Sequence, residues 1–225
     1  QPRGASLFIP EEDYGFYSLS ALATIIFCER GLPFLYQGQE IGMSNRQWKY
    51  DEFNDLETIN QYQIALKAGM SKEQALEIAR HHSRDNARTP MQWSSEENAG
   101  FSKAKPWMPV NENYKVVNVA EEEKEYGSIL NFYKRLIAFY KSEEYNEILT
   151  YGDFRPIYEK EDHIFAYSRS YGCQKLVLIC NFSSKEKDIE LSEDYENVIF
   201  VNYEQTTVIG NTLKMKPYEC VIYEM

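Results

Sequence analysis

The sequence has no apolar run long enough to cross a bilayer. The longest such stretch, residues 19–28 (LSALATIIFC), is far shorter than the roughly 20 residues that a membrane-spanning helix needs, and it contains polar residues. No secretory signal pattern is present. Basic residues are also scarce, since 24 Lys and Arg stand against 35 Asp and Glu, for a net charge of -11. Nucleic acids and membrane surfaces require clustered Lys and Arg, so neither is expected as a partner.

Cysteine is scarce as well, and its spacing excludes the common zinc patterns. The four residues Cys28, Cys173, Cys180 and Cys220 form no C-x-x-C pair. Cys28 lies in an apolar run, and Cys180 and Cys220 lie in strand-like runs. We therefore expect buried free thiols, which fit a cytoplasmic location. No pattern in the sequence indicates a metal site or a cofactor.

The chain does contain enough apolar material for a buried core, because 43% of its residues are hydrophobic. Residues 17–29 predict a buried helix that ends before a glycine and a proline, and residues 33–36 (PFLY) predict a short buried strand. A helix, a short loop and a buried strand are typical of an α/β unit in a parallel sheet. Two further helices are predicted over residues 55–68 and 71–82, and a capping box, SKEQ, opens the second.

The middle and the end of the chain have a different character. Residues 83–126 show no clear periodicity, and a loop of this length inside a compact protein is usually functional or disordered. Its aromatic residues indicate order, and an amphipathic helix is predicted over residues 129–140. Short strand-like runs then predict a small antiparallel β-sandwich. We expect two domains, residues 1–142 and residues 143–225.

The most informative segment is residues 84–93, RDNARTPMQW, which concentrates two guanidiniums, a carboxylate, two amides and an indole. Proline disfavours helix in the preceding residue, so Thr89 is expected to be extended. Arginine forks and an indole face suit a hydroxyl-rich ligand. The alternative is an Arg–Asp network that pins a loop, with Trp93 as its hydrophobic anchor, and composition alone favours this alternative.

Other segments accompany this motif in a recognisable order. They are GLPFLYQGQEIGM at residues 31–43, DLETIN at 55–60, and AGF, PW, VN and NY within residues 99–114. With RDNARTPMQW they resemble the C-terminal portion of the oligo-1,6-glucosidase and α-glucosidase group of the α-amylase superfamily, although Gln39 stands where glutamate is commoner. The resemblance implies the last part of a (β/α)8 barrel with an inserted helical excursion, followed by an antiparallel β-sandwich.

The resemblance also implies what this chain lacks. Its first residues, Gln1-Pro2-Arg3, resemble the tail of an Asn-His-Asp-Gln-Pro-Arg motif, whose aspartate stabilises the transition state. That aspartate would precede Gln1, and the family's nucleophile and proton donor lie further upstream. We therefore expect a piece of a longer polypeptide, without a catalytic carboxylate of its own and inactive alone. Its partner would be the upstream part of its own barrel.

Individual residues acquire expected roles from the same resemblance. Arg88 is expected to contact the terminal glucose of the substrate. Glu57 and Gln61 share a helix face and could reach the leaving-group sugar, while a solvated helix face explains them equally well. Arg84 and Asp85 are expected to brace each other or the loop. The two tryptophans of this region, Trp93 and Trp107, are expected to be packing anchors.

The implied activity is that of a retaining glycoside hydrolase acting on an α-gluco-oligosaccharide. The leading interpretation is cleavage of terminal α-1,6 glucosidic bonds of short oligosaccharides, with α-1,4 bonds left open as an additional linkage. Two catalytic alternatives remain open, a trehalose-6-phosphate hydrolase and a sucrose-isomerising relative. A non-catalytic transporter-accessory relative is the alternative from another class. A phosphate-binding variant should have extra Lys or Arg near the pocket, and the sequence shows only the ordinary complement.

Overall fold

A computed structural model describes residues 3–8, 14–191 and 197–225, so Gln1 and Pro2 of the Gln-Pro-Arg motif lie outside the described residues. The described residues form two compact units, each assembled from separate segments. Residues 3–8 and 35–130 make up the helical unit. The sandwich unit combines 14–34 with the described residues after 130. The domain boundary expected between residues 142 and 143 stays a prediction.

The helices and strands have the following bounds. The helices are α1 (Gly4–Phe8), α2 (Gly15–Cys28), α3 (Leu56–Lys67), α4 (Lys72–His82), α5 (Asp85–Arg88), α6 (Val119–Glu122), α7 (Ile129–Tyr140) and α8 (Asn146–Tyr151). The strands are β1 (Asp153–Ile157), β2 (Ile164–Tyr171), β3 (Gln174–Asn181), β4 (Lys187–Glu190), β5 (Asn197–Val201), β6 (Thr207–Ile209), β7 (Thr212–Met215) and β8 (Cys220–Glu224).

In the helical unit, α3 and α4 form a hairpin over a small aromatic core. The predicted capping box is present, because Ser71 Oγ accepts a hydrogen bond from the Gln74 backbone and Gln74 Oε1 accepts one from the Ser71 backbone. The hairpin turn passes through Gly69, whose φ of 91° favours glycine. The buried core residues of this hairpin and the adjacent loops are Trp48, Phe53, Tyr62, Ala75, Ala79 and Met108.

The strand predicted over residues 33–36 does not form. Phe34 is 80% exposed and Tyr36 is 53% exposed, and neither residue belongs to a strand. A β-strand is stabilised by hydrogen bonds to a neighbouring strand, and every strand in the described ranges lies after residue 152. The expectation of a buried strand is therefore wrong in both respects, since the segment is exposed and has no strand partner within the described ranges.

The predicted antiparallel β-sandwich is present in the sandwich unit. A five-stranded sheet has the order β1-β2-β3-β8-β5, and a three-stranded sheet has the order β4-β7-β6, with antiparallel pairing throughout. Apolar side chains of the two sheets share one core. Its fully buried members are Ala166, Val177, Ile179, Ile189, Leu191, Leu213, Met215, Val221 and Tyr223.

Helix α2 packs against the other face of the five-stranded sheet. Tyr167 and Arg169 alternate with core residues along β2 and therefore point to that face. The Arg169 guanidinium is 1% exposed and donates to the backbone oxygens of Cys28 (2.7 Å), Gly152 (3.1 Å) and Asp153 (3.2 Å). It thereby satisfies a carbonyl at the C-terminal end of α2 that the helix itself leaves free.

The expectation of free buried thiols is wrong for Cys180 and Cys220, two of the three cysteines in apolar or strand-like runs. Cys180 on β3 faces Cys220 on β8 across neighbouring antiparallel strands, and the two form a disulfide with a Cα–Cα distance of 4.2 Å. Sequence spacing could not reveal this pairing, since 40 residues separate them. Cys28 is free and buried, and Cys173 is free and exposed. Burial raises the pKa of the Cys28 thiol to about 12.

Candidate functional site

The motif at residues 84–93 folds as a single helical turn followed by an extended segment. Helix α5 ends at Arg88, and Thr89 is extended, with φ -58° and ψ 143°, as predicted for a residue before proline. Asp85 and Asn86 are fully buried, whereas the Arg84 and Arg88 side chains are 52% and 43% exposed. The turn therefore places two polar side chains inside the helical unit and two guanidiniums at its surface.

Asn86 is the hydrogen-bonding centre of this turn. Its Oδ1 accepts from Trp48 Nε1 at 2.7 Å and from the Arg46 backbone at 3.3 Å. Its Nδ2 donates to the backbone oxygens of Arg80 at 2.7 Å and Ser83 at 3.1 Å. Every donor and acceptor of the amide is thus used, which a buried amide requires. The sequence analysis assigned Asn86 no role.

Asp85 joins the motif to the start of α3. Its Oδ2 accepts the backbone N–H groups of Asn54 at 2.7 Å and Asp55 at 2.9 Å. Its Oδ1 accepts from Arg88 Nη1 at 3.0 Å. A buried carboxylate is costly unless it is paired and hydrogen-bonded, and these three donors meet that requirement.

Arg84 pairs with acids other than Asp85. Its Nη2 lies 3.0 Å from Asp55 Oδ1 and 3.0 Å from Glu57 Oε2. Both residues of the expected Arg84–Asp85 pair therefore brace the loop, but through different partners. Burial by itself raises the pKa of Asp55, yet the hydrogen bonds from Arg84 and Thr58 outweigh it and hold that pKa below its ordinary value.

A pocket of about 420 Å³ opens beside α5 within the helical unit. Three guanidiniums line it, those of Arg3, Arg84 and Arg88, and Tyr36 adds an aromatic face. The Tyr36 hydroxyl donates to the Ala87 backbone oxygen at 2.9 Å, which connects the pocket wall to the motif. The arginine expected to contact sugar therefore lies at a concave surface, as a ligand-binding residue should.

Arg3 is a pocket residue that the sequence analysis did not single out. It is 4% exposed, and its guanidinium donates to the backbone oxygens of Asn86 (2.9 Å) and Gln37 and to Thr89 Oγ1 (3.1 Å). Burial lowers the pKa of Arg3, and no carboxylate within the described ranges lies at ion-pair distance from it. The sequence feature that could have identified Arg3 is its place in the Gln-Pro-Arg motif.

Glu57 and Gln61 lie one turn apart on α3, and both are exposed. Gln61 Nε2 donates to Glu57 Oε1 at 3.4 Å, and Glu57 also pairs with Arg84. Neither residue lines the pocket, so Arg84 is their connection to it. A contact of these two residues with sugar stays a prediction.

The expectation that Trp93 and Trp107 are packing anchors is wrong. Their side chains are 51% and 78% exposed, whereas Trp48 is completely buried. Backbone hydrogen bonds hold the segment around Trp93 instead, because its N–H donates to Ala99 O at 2.9 Å and its carbonyl accepts from Ala120 N at 3.0 Å.

In residues 3–8, 14–191 and 197–225, no group of three or more His, Cys, Asp or Glu side chains is placed to hold a metal ion. Across those residues, no helix is both long enough and apolar enough to span a bilayer.

Family models match both parts of the chain. The alpha-amylase catalytic domain matches residues 1–152, and the C-terminal domain of the alpha-amylase SusG matches residues 164–222. An oligo-1,6-glucosidase of Bacillus cereus is 38% identical over 231 residues, which cover 100% of this chain and 41% of that relative. The chain thus spans about two fifths of the length of the curated relatives it matches.

Solved structures show the same relationship. Trehalose-6-phosphate hydrolase of Bacillus licheniformis superposes with a TM-score of 0.90 at 36% identity, covering 100% of this chain and 41% of that one. The isomaltulose synthase of Protaminobacter rubrum gives 0.88 at 33% identity, covering 99% and 41%. These matches confirm the predicted fold class, the last part of a (β/α)8 barrel with a helical excursion followed by an antiparallel β-sandwich.

Proposed function

Because the chain belongs to the α-amylase family, as its match over residues 1–152 shows, we propose that it is part of a retaining α-glucosidase. The proposed reaction is hydrolysis of terminal α-1,6, and also α-1,4, glucosidic bonds in short oligosaccharides. The observation that carries this proposal is the place of Arg88, a half-exposed guanidinium on the pocket wall that a buried carboxylate holds. The name of the Bacillus cereus relative supports the α-1,6 linkage.

In this proposal the chain supplies binding groups and the upstream residues supply the reacting acids. A retaining glycosidase needs two carboxyl groups about 5 Å apart, one as nucleophile and one as proton donor. The acids beside the pocket arginines Arg84 and Arg88 are already paired, Asp85 with Arg88 and Asp55 and Glu57 with Arg84. Residues 1–225 alone should therefore hydrolyse no glucoside.

A second candidate is hydrolysis of trehalose 6-phosphate. The observation that favours it is the set of three arginines, Arg3, Arg84 and Arg88, around one pocket. Guanidiniums bind phosphate through paired hydrogen bonds. The structural similarity to the trehalose-6-phosphate hydrolase of Bacillus licheniformis supports this candidate.

The experiment is an assay of the full-length protein that carries this chain. Isomaltose, maltose, trehalose 6-phosphate and sucrose are supplied separately, and glucose release and product isomers are measured. Glucose from isomaltose supports the leading proposal, whereas turnover confined to trehalose 6-phosphate or isomerisation of sucrose replaces it with one of the relatives' activities. No turnover of any α-glucoside would indicate the non-catalytic alternative. Turnover by residues 1–225 alone would contradict the division of roles.

We also propose a cytoplasmic location. The expectation of free thiols supported this location, and the disulfide between Cys180 and Cys220 weakens that support. Disulfides persist mainly in oxidising compartments, and Cys180 and Cys220 are bonded in the structure. Thiols can be alkylated at the moment of cell lysis and the fractions compared. A reduced pair in the cytosolic fraction supports the cytoplasm, and an oxidised pair in an extracytoplasmic fraction contradicts it.

A further inference from the structure

We propose that Asp85 is a positioning residue for the reaction, which fixes the guanidinium of Arg88 at the pocket wall. This inference rests on the proposed function, because it assumes that Arg88 binds the substrate. Asp85 itself does not line the pocket, and its carboxylate is fully buried. Its effect on a bound sugar must therefore pass through Arg88.

The two oxygens of Asp85 have separate tasks. Oδ2 accepts two backbone N–H groups, those of Asn54 and Asp55, at 2.7 and 2.9 Å. Backbone amides at the start of a helix cannot rotate away as side chains can, so they fix the carboxylate in the helical unit. Oδ1 is thereby aimed at Arg88, whose Nη1 lies 3.0 Å away.

The hydrogen bond between Arg88 Nη1 and Asp85 restricts the orientation of the whole guanidinium. A guanidinium is planar, so fixing Nη1 constrains the plane in which Nε and Nη2 also lie. Within the part of the chain that the structure describes, Arg88 Nη1 donates a hydrogen bond to Asp85, and the other N–H groups of the Arg88 guanidinium donate to no protein atom. Arg88 therefore has a fixed orientation and donors left for a ligand.

The ion pairs of Arg84 with Asp55 and Glu57 are separate from the pair between Asp85 and Arg88. Arg84 also lies on the pocket wall, but its guanidinium is occupied by Asp55 and Glu57. Asp55 and Asp85 are thus paired with different arginines, so Asp85 is left for Arg88. The spacing of three residues within α5 brings the two side chains together on one helical turn.

The substitution that separates positioning from folding is Asp85→Asn. The amide can keep an oxygen toward the N–H groups of Asn54 and Asp55, but it then turns an NH₂ group toward Arg88. Two donors face each other, and Arg88 is released while the backbone contacts remain. In the full-length protein, kcat/KM for isomaltose should fall between about tenfold and a hundredfold, since a displaced binding group costs this much.

A double-mutant cycle with Arg88→Ala tests whether Asp85 acts through Arg88. If it does, Asp85→Asn changes kcat/KM less than about twofold in the Arg88→Ala background. Losses that multiply, or an Asp85→Asn variant with unchanged kcat/KM, would overturn the inference. The matched control is Asp188→Asn, which removes the carboxylate of an exposed ion pair with Lys214 in the sandwich unit and should leave kcat/KM unchanged.

A second measurement covers the cases in which Asp85→Asn unfolds or the enzyme is inactive. In protein with isotope-labelled arginine, a guanidinium held by a carboxylate rotates slowly and shows separate Nη signals by NMR. The Arg88 signals, assigned by their loss in Arg88→Lys, should be separate in the wild-type protein. Averaged Nη signals would overturn the inference. Wild-type protein without activity on any α-glucoside would refute the proposed function and leave this reading of the contact intact.

Discussion

Nε1 of Trp48 donates a hydrogen bond to Oδ1 of Asn86 at 2.7 Å, and both side chains are fully buried. Trp48 stacks on Phe53, with ring centroids 5.7 Å apart, and so belongs to the core beneath the α3–α4 hairpin. Asn86 lies two residues before Arg88 in the motif. The Asn86 amide therefore connects the pocket wall to the hydrophobic core.

Asn86→Ala should destabilise the protein strongly. It leaves Trp48 Nε1, the Arg46 backbone N–H and the Arg80 backbone oxygen without a partner, and each buried polar group left so costs about 1–3 kcal/mol. The free energy of unfolding in urea should fall by about 3 kcal/mol or more. Asn60→Ala, at an exposed position on α3, is the matched control and should change it by less than about 0.5 kcal/mol. Equal values for the two variants would show that the amide is not central.

The two exposed arginines of the motif should differ in their effect on activity. Arg88→Ala removes free donors at the pocket, and hydrogen bonds to charged groups are worth about 1.5–3 kcal/mol, so kcat/KM of the full-length enzyme should fall about tenfold to a hundredfold. Arg84→Ala removes a guanidinium already engaged by Asp55 and Glu57, and its loss should be smaller. Steady-state kinetics on isomaltose compares them. A larger loss for Arg84→Ala than for Arg88→Ala would show that Arg84, and not Arg88, contacts the sugar.

Acid should weaken the helical unit through Asp55. Because the folded-state pKa of Asp55 is lowered, its ionised form contributes stability above the unfolded pKa, about 3.9, and this contribution is lost as the pH falls through the folded value. The difference in Tm between the wild type and Asp55→Asn should therefore be largest near pH 6 and shrink below about pH 4. Asp51→Asn, at an exposed position, is the control. A difference that does not depend on pH would contradict this account.

Local sequence patterns predicted the local structure well. The capping box at Ser71 and Gln74 satisfies backbone groups within one helical turn, and proline acts on the residue next to it, Thr89. The short apolar runs separated by turn residues predicted the strands of the sandwich, because such runs are typical of buried strands. The prediction of a strand over residues 33–36 was wrong because a strand needs a neighbouring strand to pair with. The sequence of the segment itself does not specify that neighbour.

The site shows the same distinction between local and distant contacts. Arg88 was identified through the motif that contains it, but the role of Arg3 depends on hydrogen bonds to Asn86 and Thr89, more than 80 residues away. The burial of Asn86 and the exposure of Trp93 likewise follow from how loops pack. Composition indicated an Arg–Asp network in the motif, and the structure shows which arginine pairs with which acid.

Thiol reactivity should distinguish the two free cysteines. Cys173 is exposed at the turn between β2 and β3, whereas Cys28 is buried at the end of α2 and its pKa is raised to about 12. The thiolate is the reactive form, so at about pH 8 iodoacetamide should alkylate Cys173 and spare Cys28. Mass spectrometry of residues 1–225 within the native full-length protein should find one alkylated cysteine, and Cys173→Ser should reduce this to none. Alkylation of Cys28 at a comparable rate would mean that α2 separates from the sheet readily, because only local opening can expose that thiol.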